Sequence, residues 1–253
     1  MNVIECKQGT QEWFEARAGK VTASSVADAM AFLKRGDKQG AETAARANYK
    51  ARIVHETLCG RPALEGYLSP WMEHGTEYEP FARAAYEAAH DVLVDTVGFV
   101  LHPTIERAGA SPDGLVSDNG LLEIKCPKPE THLRYMLGGV LPAEYEPQVM
   151  FQLACTGRAW CDFVSFDPRM PLRHQIFTVR VQRDDTRIAQ MEEAIVQFLA
   201  EVDEQIAALN AMNPPLEAEI AGPQPAWDSL DTLGITDEEL DMYLPMTAPE
   251  ARA

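Results

Sequence analysis

The sequence predicts an α/β fold in which helices come first and a mixed central sheet flanked by helices follows. Through residues 11–90, apolar residues recur mostly at the spacing of amphipathic helices. From residue 92 the pattern changes to short runs of β-forming residues separated by turn signals. Two more alternating runs precede a long C-terminal helical stretch, so we expect an N-terminal helical part joined to a sheet.

Four helices are predicted in the N-terminal part. Three of them cover residues 11–18, 41–58 and 71–90. The other begins at the potential capping residues within 22–25 and ends near residue 32. Thr10 can cap the first helix, and Gly19 can end it. The 41–58 stretch is rich in alanine and is followed by Gly60. The charged, glycine-containing segment before it is typical of a loop.

The sheet is predicted from runs of β-branched and aromatic residues. Predicted strands cover 92–101, 121–126, 160–166 and 175–181, and residues 108–111 and 114–116 flank a tight segment around Pro112, so that three strands precede the next helices. The Asp118-Asn119-Gly120 sequence is a turn signal before the strand at 121–126. Helices are predicted at 130–137, at 142–155, where Gly157 follows as a stop, and over 183–212.

Length and charge divide the chain into a domain and a tail. We expect one domain over residues 1–212 and an acidic, proline-containing tail over 213–253, either flexible or docked onto a partner. The net charge of −17 is unusual for a DNA-binding protein. Residues 201–253 hold twelve Asp and Glu residues and one Arg, a net charge of −11, which leaves −6 for residues 1–200.

A cluster of basic residues lies in the predicted helical part. Its members are Lys34, Arg35, Lys38, Arg46, Lys50 and Arg52. Contact with DNA phosphates and a solvated helix face are equally good interpretations.

Several features of the sequence limit the cellular compartment in which we expect the protein. No apolar run approaches the ~20 residues of a membrane span, and the N-terminus lacks the basic and apolar regions of a signal peptide. The five cysteines form no CxxC pair, which argues for reduced thiols and against a structural zinc or four-cysteine iron–sulfur site. We therefore expect a cytoplasmic protein without a membrane partner.

Two carboxylates and a lysine lie close together in the predicted sheet. Asp113 comes ten residues before Glu123, and strand alternation puts Glu123 and Lys125 on one face and Ile124 on the other. Carboxylate oxygens, with the Ile124 carbonyl, can bind hard divalent cations, and the lysine can stabilise a charged transition state. Glu79, on the preceding helix, is a candidate to complete the site. A Glu–Lys pair on a solvated strand face is the alternative interpretation.

Further blocks surround this motif in a characteristic order. They are Trp13 with Arg17-Ala18-Gly19-Lys20-Val21-Thr22-Ala23-Ser24, Gly75 to Glu79, Ser111-Pro112-Asp113-Gly114, Leu122 to Pro127, Leu137-Gly138-Gly139, Tyr145 with Gln148, and Phe166-Asp167-Pro168-Arg169-Met170. Over about residues 8–200 the chain thereby resembles the YqaJ-type viral recombinase family of lambda-exonuclease-like proteins, within the PD-(D/E)xK nucleases. The resemblance implies a restriction-endonuclease-like core.

The resemblance also implies roles for individual residues. The implied metal ligands are Glu79, Asp113, Glu123 and the backbone carbonyl of Ile124. Lys125 is the implied catalytic lysine, and Gln148 the glutamine that positions the nucleophile or the lysine. The implied 5′-phosphate pocket consists of Arg17, Thr22, Ser24 and Ser111.

Alternatives from the residues alone stay open for four of these. Arg17 could pair with a glutamate of its own helix, Ser24 and Thr22 could only cap a helix, and Gln148 could lie on an exposed helix face.

The implied activity is Mg²⁺-dependent 5′-to-3′ exonuclease action on linear double-stranded DNA, with Mn²⁺ as a substitute and one or two ions per site. It would release mononucleotides and leave 3′ single strands for recombination by single-strand annealing. The family further implies a homotrimer, a single-strand annealing protein as partner, and a phage or prophage gene in a bacterial host. A sequence-specific endonuclease and a non-catalytic DNA-end-binding scaffold are the alternatives.

One departure from the family concerns a second phosphate-contacting arginine shortly after the catalytic lysine. The corresponding region here is one residue shorter and contains His132 and Arg134, neither of which aligns cleanly with that arginine. Either residue is a candidate substitute.

Overall fold

The computed structural model describes residues 1–36, 38–63 and 70–213. The helices are α1 (Gln11–Arg17), α2 (Val26–Ala29), α3 (Ala44–Cys59), α4 (Pro70–His90), α5 (Pro129–Gly138), α6 (Glu146–Thr156) and α7 (Asp185–Met212). The strands are β1 (Asn2–Ile4), β2 (Val21–Thr22), β3 (Val94–Asp95), β4 (Phe99–Leu101), β5 (Ala108–Ala110), β6 (Gly114–Val116), β7 (Gly120–Lys125), β8 (Trp160–Phe166) and β9 (Ile176–Gln182). Short 3₁₀ helices cover Ala23–Ser25, Ala143–Tyr145 and Leu172–His174.

These strands form two sheets. The four-stranded sheet has the order β1-β4-β5-β2, with one parallel pair, β2 with β5. The five-stranded sheet has the order β3-β6-β7-β8-β9, with one parallel pair, β7 with β8. The predicted α/β class with mixed strand pairing and flanking helices is therefore confirmed, although the strands are divided between two sheets.

The division between the sheets corrects the predicted strand over 92–101. That stretch contains two strands, β3 and β4, which belong to different sheets. Gly98 lies between them, and a Cβ there would be 2.3 Å from the carbonyl oxygen of Ile4. The chain passes β1 so closely that only glycine fits, and this long-range contact has no signal in the local sequence.

Three helices begin or end differently from the prediction. The helix predicted from residue 142 begins at Glu146, after a 3₁₀ turn over Ala143–Tyr145. The predicted second helix is a 3₁₀ turn followed by the four-residue α2, which ends at Ala29 rather than near residue 32. The third begins at Ala44 because the side chain of Thr43 accepts a hydrogen bond from the Arg46 backbone. Strands β1 and β2 were missed because three and two residues are too short to show alternation.

The interior contains two apolar clusters. One joins α3, α6 and α7 to the four-stranded sheet and includes Leu121. The other packs α4 against β6, β7 and β8 and includes Leu122 and Ile124. Strand β7 is thus buried on both faces. Glu123, two residues after Leu121, faces α6.

The predicted basic cluster is split by the fold. Arg46 and Lys50 of α3 are 2% and 6% exposed and form ion pairs with Glu42 and with Glu201 of α7. Neither a DNA contact nor a solvated helix face describes these two residues. Their ion pairs with Glu201 connect α3 to α7.

The predicted tail over 213–253 lies outside the described residues, apart from residue 213. In the described ranges, no helix combines the length and the apolar character that crossing a membrane requires.

Candidate active site

The antiparallel pairing of β6 with β7 brings Asp113 to the middle of β7. Gly114 pairs with Leu122, so Asp113, just before β6, reaches the following residues. Its backbone nitrogen donates to the Leu122 carbonyl at 3.1 Å, and its Oδ2 accepts from the backbone nitrogen of Ile124 at 2.6 Å. Backbone bonds at both ends therefore fix the Asp113 carboxylate beside Glu123.

Glu123 is the most deeply buried of the candidate carboxylates, at 1% exposed. Its Oε1 accepts from Gln148 Nε2 at 2.6 Å and pairs with Lys125 Nζ at 2.5 Å. Its Oε2 accepts from Gln152 Nε2 at 2.6 Å. The structure thus brings Gln148 to the carboxylate that strand alternation placed beside Lys125. Gln148 is half-buried, not on an exposed helix face.

Glu79 reaches the same place from α4. Its Oε1 accepts from Arg83 Nη2 at 2.5 Å, and the same nitrogen donates to the Asp113 backbone carbonyl at 3.1 Å. Arg83 therefore ties Glu79 of the helix to Asp113 of the sheet. Proline at position 80 lies inside the helix directly after Glu79.

The site has an excess of negative charge. Burial and the nearby Glu123 carboxylate raise the pKa of Asp113 well above its usual value. Burial, opposed by Arg83, also raises the pKa of Glu79. Burial alone would lower the pKa of Lys125, but Glu123 and Asp113 outweigh it and raise that pKa. Three carboxylates share two cationic side chains, so burial and, after it, repulsion between the carboxylates raise the pKa values of Asp113 and Glu79.

This donor set fits a divalent cation in its chemistry. The candidate ligands are all oxygen donors with a net negative charge, and a hard cation would relieve their repulsion. In the described part of the chain, however, no three histidine, cysteine, aspartate or glutamate side chains are arranged ready to hold a metal ion. Arg83 and Lys125 engage Glu79 and Glu123 instead. A cation bound through Glu79 Oε1 or Glu123 Oε1 would therefore have to displace one of these ion pairs.

Two tyrosines border the lysine. The Lys125 ammonium lies 5.1 Å from the centre of the Tyr145 ring, and the Tyr145 hydroxyl is 3.4 Å from that of Tyr135. Tyr135 also donates to Glu144 at 2.9 Å. The ring face of Tyr145 stabilises the ammonium and fixes one side of its position.

The four residues of the implied phosphate pocket lie along one chain of contacts. Arg17 Nη2 is 3.5 Å from Ser24 Oγ, which is 3.3 Å from Thr22 Oγ1. The Arg17 guanidinium stacks 3.9 Å above the Trp13 ring, and Trp13 Nε1 donates to Ser111 Oγ at 2.8 Å. Trp13 therefore connects the arginine to the segment that carries Asp113.

A cleft lined by Arg17 and Thr22 includes two further cationic residues that are not among the predicted phosphate-pocket residues. Lys20 and Arg52 line it together with Glu56, Phe14 and other residues. Burial, against the attraction of nearby glutamates, lowers the pKa of Lys20. Arg52 comes from α3, and its place beside Arg17 depends on tertiary packing that no local motif signals.

The region after Lys125 differs from the expectation for His132. That side chain is fully buried, with one ring nitrogen 2.8 Å from Ser165 Oγ and the other 2.9 Å from the His174 carbonyl. Both ring nitrogens are engaged inside the protein, so His132 is not a substitute for the missing arginine. Arg134 is exposed, with its guanidinium over the Tyr135 ring.

Sequence reasoning missed two residues that hold the carboxylates. Gln152 lies one helical turn after Gln148, and Arg83 lies one turn after Glu79. The i,i+4 spacing from a named site residue was the available signal in both cases.

Comparison with known proteins identifies the family and the fold of the chain. The profile of the YqaJ-like viral recombinase domain matches residues 12–159. An alkaline exonuclease from Laribacter hongkongensis is 45% identical, with a TM-score of 0.72, over 80% of this chain and 97% of its own; its complex with dAMP matches equally well.

A phage-related exonuclease from Haemophilus somnus, at 18% identity and a TM-score of 0.57 over 75% of this chain and 96% of its own, shares the fold. Comparison with curated proteins gave no match. The fold is restriction-endonuclease-like, and the chain belongs to the YqaJ-like viral recombinase family.

Proposed function

We propose that the protein is a Mg²⁺-dependent 5′-to-3′ exonuclease on linear double-stranded DNA. The observation that carries the proposal is that Asp113, from the segment before β6, and Gln148, from α6, contact Ile124 and Glu123 of strand β7 beside Lys125. The 45% identity to an alkaline exonuclease over 97% of that enzyme supports it.

Glu79, Asp113, Glu123 and the Ile124 carbonyl would hold one or two cations, Mg²⁺ or in its place Mn²⁺. When bound, the cation supplies positive charge that polarises the phosphate and makes water a better nucleophile. Opening of the Glu79–Arg83 pair would free the Glu79 carboxylate for this role, whereas Glu123 can offer Oε2 while Oε1 keeps its pair with Lys125.

The chain's own residues then act on the phosphate and on water. Lys125, whose pKa Glu123 and Asp113 raise against the effect of burial, would serve as a cationic donor to the phosphate oxygens. Gln148, held at Glu123, would orient the attacking water. The water gives up a proton to solvent as its oxygen bonds to phosphorus, and the bond from phosphorus to the 3′ oxygen breaks as that oxygen takes up a proton. The terminal nucleotide leaves, and the next one keeps the 5′-phosphate.

Selection of DNA with a 5′-phosphate end would come from the phosphate-pocket residues that contact one another through Trp13. Arg17 offers a planar charged fork, and Thr22, Ser24 and Ser111 offer hydroxyls, which together suit a terminal 5′-phosphate. Each round of hydrolysis exposes a new 5′-phosphate, so the product end is again a substrate for this pocket.

The assembly is proposed from the family resemblance. The active form would be a homotrimer around DNA, and the remaining 3′ single strand would pass to a single-strand annealing protein. The acidic tail over 213–253 suits docking onto a basic surface of that partner. The protein would act in the cytoplasm of a bacterial host that carries the phage or prophage gene.

Digestion of three duplex substrates with Mg²⁺ tests the proposal. Linear DNA with 5′-phosphate ends should be degraded to mononucleotides, linear DNA with 5′-hydroxyl ends more slowly, and a closed circle not at all. Cutting of the circle would indicate an endonuclease. Binding of DNA ends without hydrolysis, with Mn²⁺ as well, would indicate a scaffold.

A further inference from the structure

Gln152 is buried beside the candidate metal ligand, yet the proposed hydrolysis leaves it without a role. Its side chain is fully buried in α6, between the fully buried Phe151 and Leu153. Its Nε2 donates to Glu123 Oε2 at 2.6 Å. It therefore contacts the oxygen of Glu123 opposite the one that Gln148 contacts.

The two oxygens of Glu123 are held in different ways. Oε1 accepts from Gln148 and pairs with Lys125, so both of its lone pairs are engaged. Oε2 accepts from Gln152 alone among the residues that the structure describes, so one lone pair remains for a cation. The bond from Gln152 fixes the rotation of the carboxylate, and hence the direction of that lone pair.

A purely structural role would not favour glutamine at this position. Every other residue of α6 from Val149 to Cys155 is apolar and buried. The carbonyl oxygen Oε1 of Gln152 is itself buried and has no hydrogen-bond partner within the described ranges. An unsatisfied buried carbonyl destabilises the fold, so the amide is retained for its N–H donor.

We propose that Gln152 is a positioning residue that orients Glu123 for the metal ion. This inference rests on the proposed function, because it requires Glu123 to be a metal ligand. Ligating carboxylates depend on such outer hydrogen bonds, whose removal typically weakens metal affinity about 10- to 100-fold.

Titration of the DNA-free protein with Mn²⁺, followed by calorimetry, tests the inference without using activity. Gln152→Met keeps the volume and removes the amide, and it should weaken Mn²⁺ binding about 10-fold or more. Leu153→Met, a volume-conserving change at the next buried position, is the matched control and should bind as the parent protein does. Thermal unfolding identifies variants that fold.

A double-mutant cycle separates positioning from packing. In the Glu123→Ala background, Gln152→Met should weaken Mn²⁺ binding no further, because the carboxylate it orients is gone. If Gln152→Met does not fold, Gln152→Asn replaces it; the amide is one methylene too short to reach Oε2, and the same weakening is expected.

The outcomes distinguish this inference from the function on which it rests. Parent-like binding by Gln152→Met, with weak binding by Glu123→Ala, would overturn the positioning role and leave the metal site standing. An equal effect of Gln152→Met with and without Glu123 would also overturn it, as a packing effect. Parent-like binding by Glu123→Ala would overturn the proposed metal site itself.

Discussion

The substitution Glu201→Gln tests the ion-pair network that fastens α7 to α3. The Glu201 carboxylate accepts from Arg46 at 2.7 and 2.9 Å and from Lys50 at 2.7 Å. An amide in its place cannot neutralise these two buried cations, for which Glu42 would remain as the acidic partner among the described residues. Removing one partner from a buried ionic cluster leaves uncompensated charge and destabilises the fold.

The expected loss of stability follows from the lowered pKa of the Glu201 carboxylate. The hydrogen bond from Arg46, against the opposing effect of burial, lowers the pKa of Glu201 from 4.5 to about 2. At about 1.36 kcal/mol per pKa unit, the shift corresponds to at most about 3.4 kcal/mol of stability. The Glu201 side chain is 29% exposed, and solvent screening reduces the expected loss to about 2 kcal/mol.

Urea unfolding between pH 7 and pH 2 measures the loss in the free energy of unfolding and shows whether that loss depends on ionisation of Glu201. A depressed folded-state pKa gives stabilisation that is complete above the usual value of 4.5 and is lost as the pH falls toward about 2. Glu201→Gln should therefore cost about 2 kcal/mol at pH 7, and the difference from the parent protein should shrink through that window.

A nearby surface ion pair supplies the control. Asp203, on the same helix, pairs with Arg107 at 2.6 Å but is 61% exposed, so Asp203→Asn should change the free energy of unfolding by about 0.5 kcal/mol or less. A Glu201→Gln loss no larger than this, or one that stays constant from pH 7 to pH 2, would refute the reasoning.

Three further predictions concern the site and the sheet. Lys125→Ala should reduce hydrolysis of linear duplex DNA by about 100-fold or more while a gel-shift assay shows unchanged binding; near-normal cleavage would disprove the lysine's role. Arg17→Gln should reduce the preference for 5′-phosphate over 5′-hydroxyl ends about tenfold in competition digests, and an unaltered preference would remove it from the pocket. Gly120→Ala should cost about 1–3 kcal/mol in urea unfolding, because its Cβ would lie 2.2 Å from the Trp160 ring, whereas Gly138→Ala, with open space, should be nearly neutral.

The sequence was sufficient for features that depend on local periodicity. Alternation along β7 predicted that Ile124 lies opposite Glu123 and Lys125, and the structure buries Ile124 in the cluster on the α4 side while Glu123 faces α6. The helix over 71–90 and the long C-terminal helix were predicted within two residues of their observed limits. Each of these patterns is complete within one segment.

Features that depend on distant contacts could not be predicted. Arg46 and Lys50 have the sequence pattern of a basic helix face, and the Glu201 that neutralises them is more than 150 residues away. The break at Gly98 depends on the approach of β1. The role of Gln152 depends on which face of α6 meets Glu123, since a buried amide and an exposed one look alike in a sequence.

Trp13 stacks on Arg17 and donates a hydrogen bond to Ser111, so it connects α1 to the segment that carries Asp113. In the proposed enzyme, Ser111 would lie at the terminal-phosphate pocket and Asp113 beside the bond to be cut. The Cα atoms of these two residues can lie at most about 7 Å apart. This short stretch of chain would then limit the distance between the bound terminal phosphate and the cut. On this basis a single nucleotide is the natural unit of product, and a longer fragment would require Ser111 and Asp113 to serve different sites.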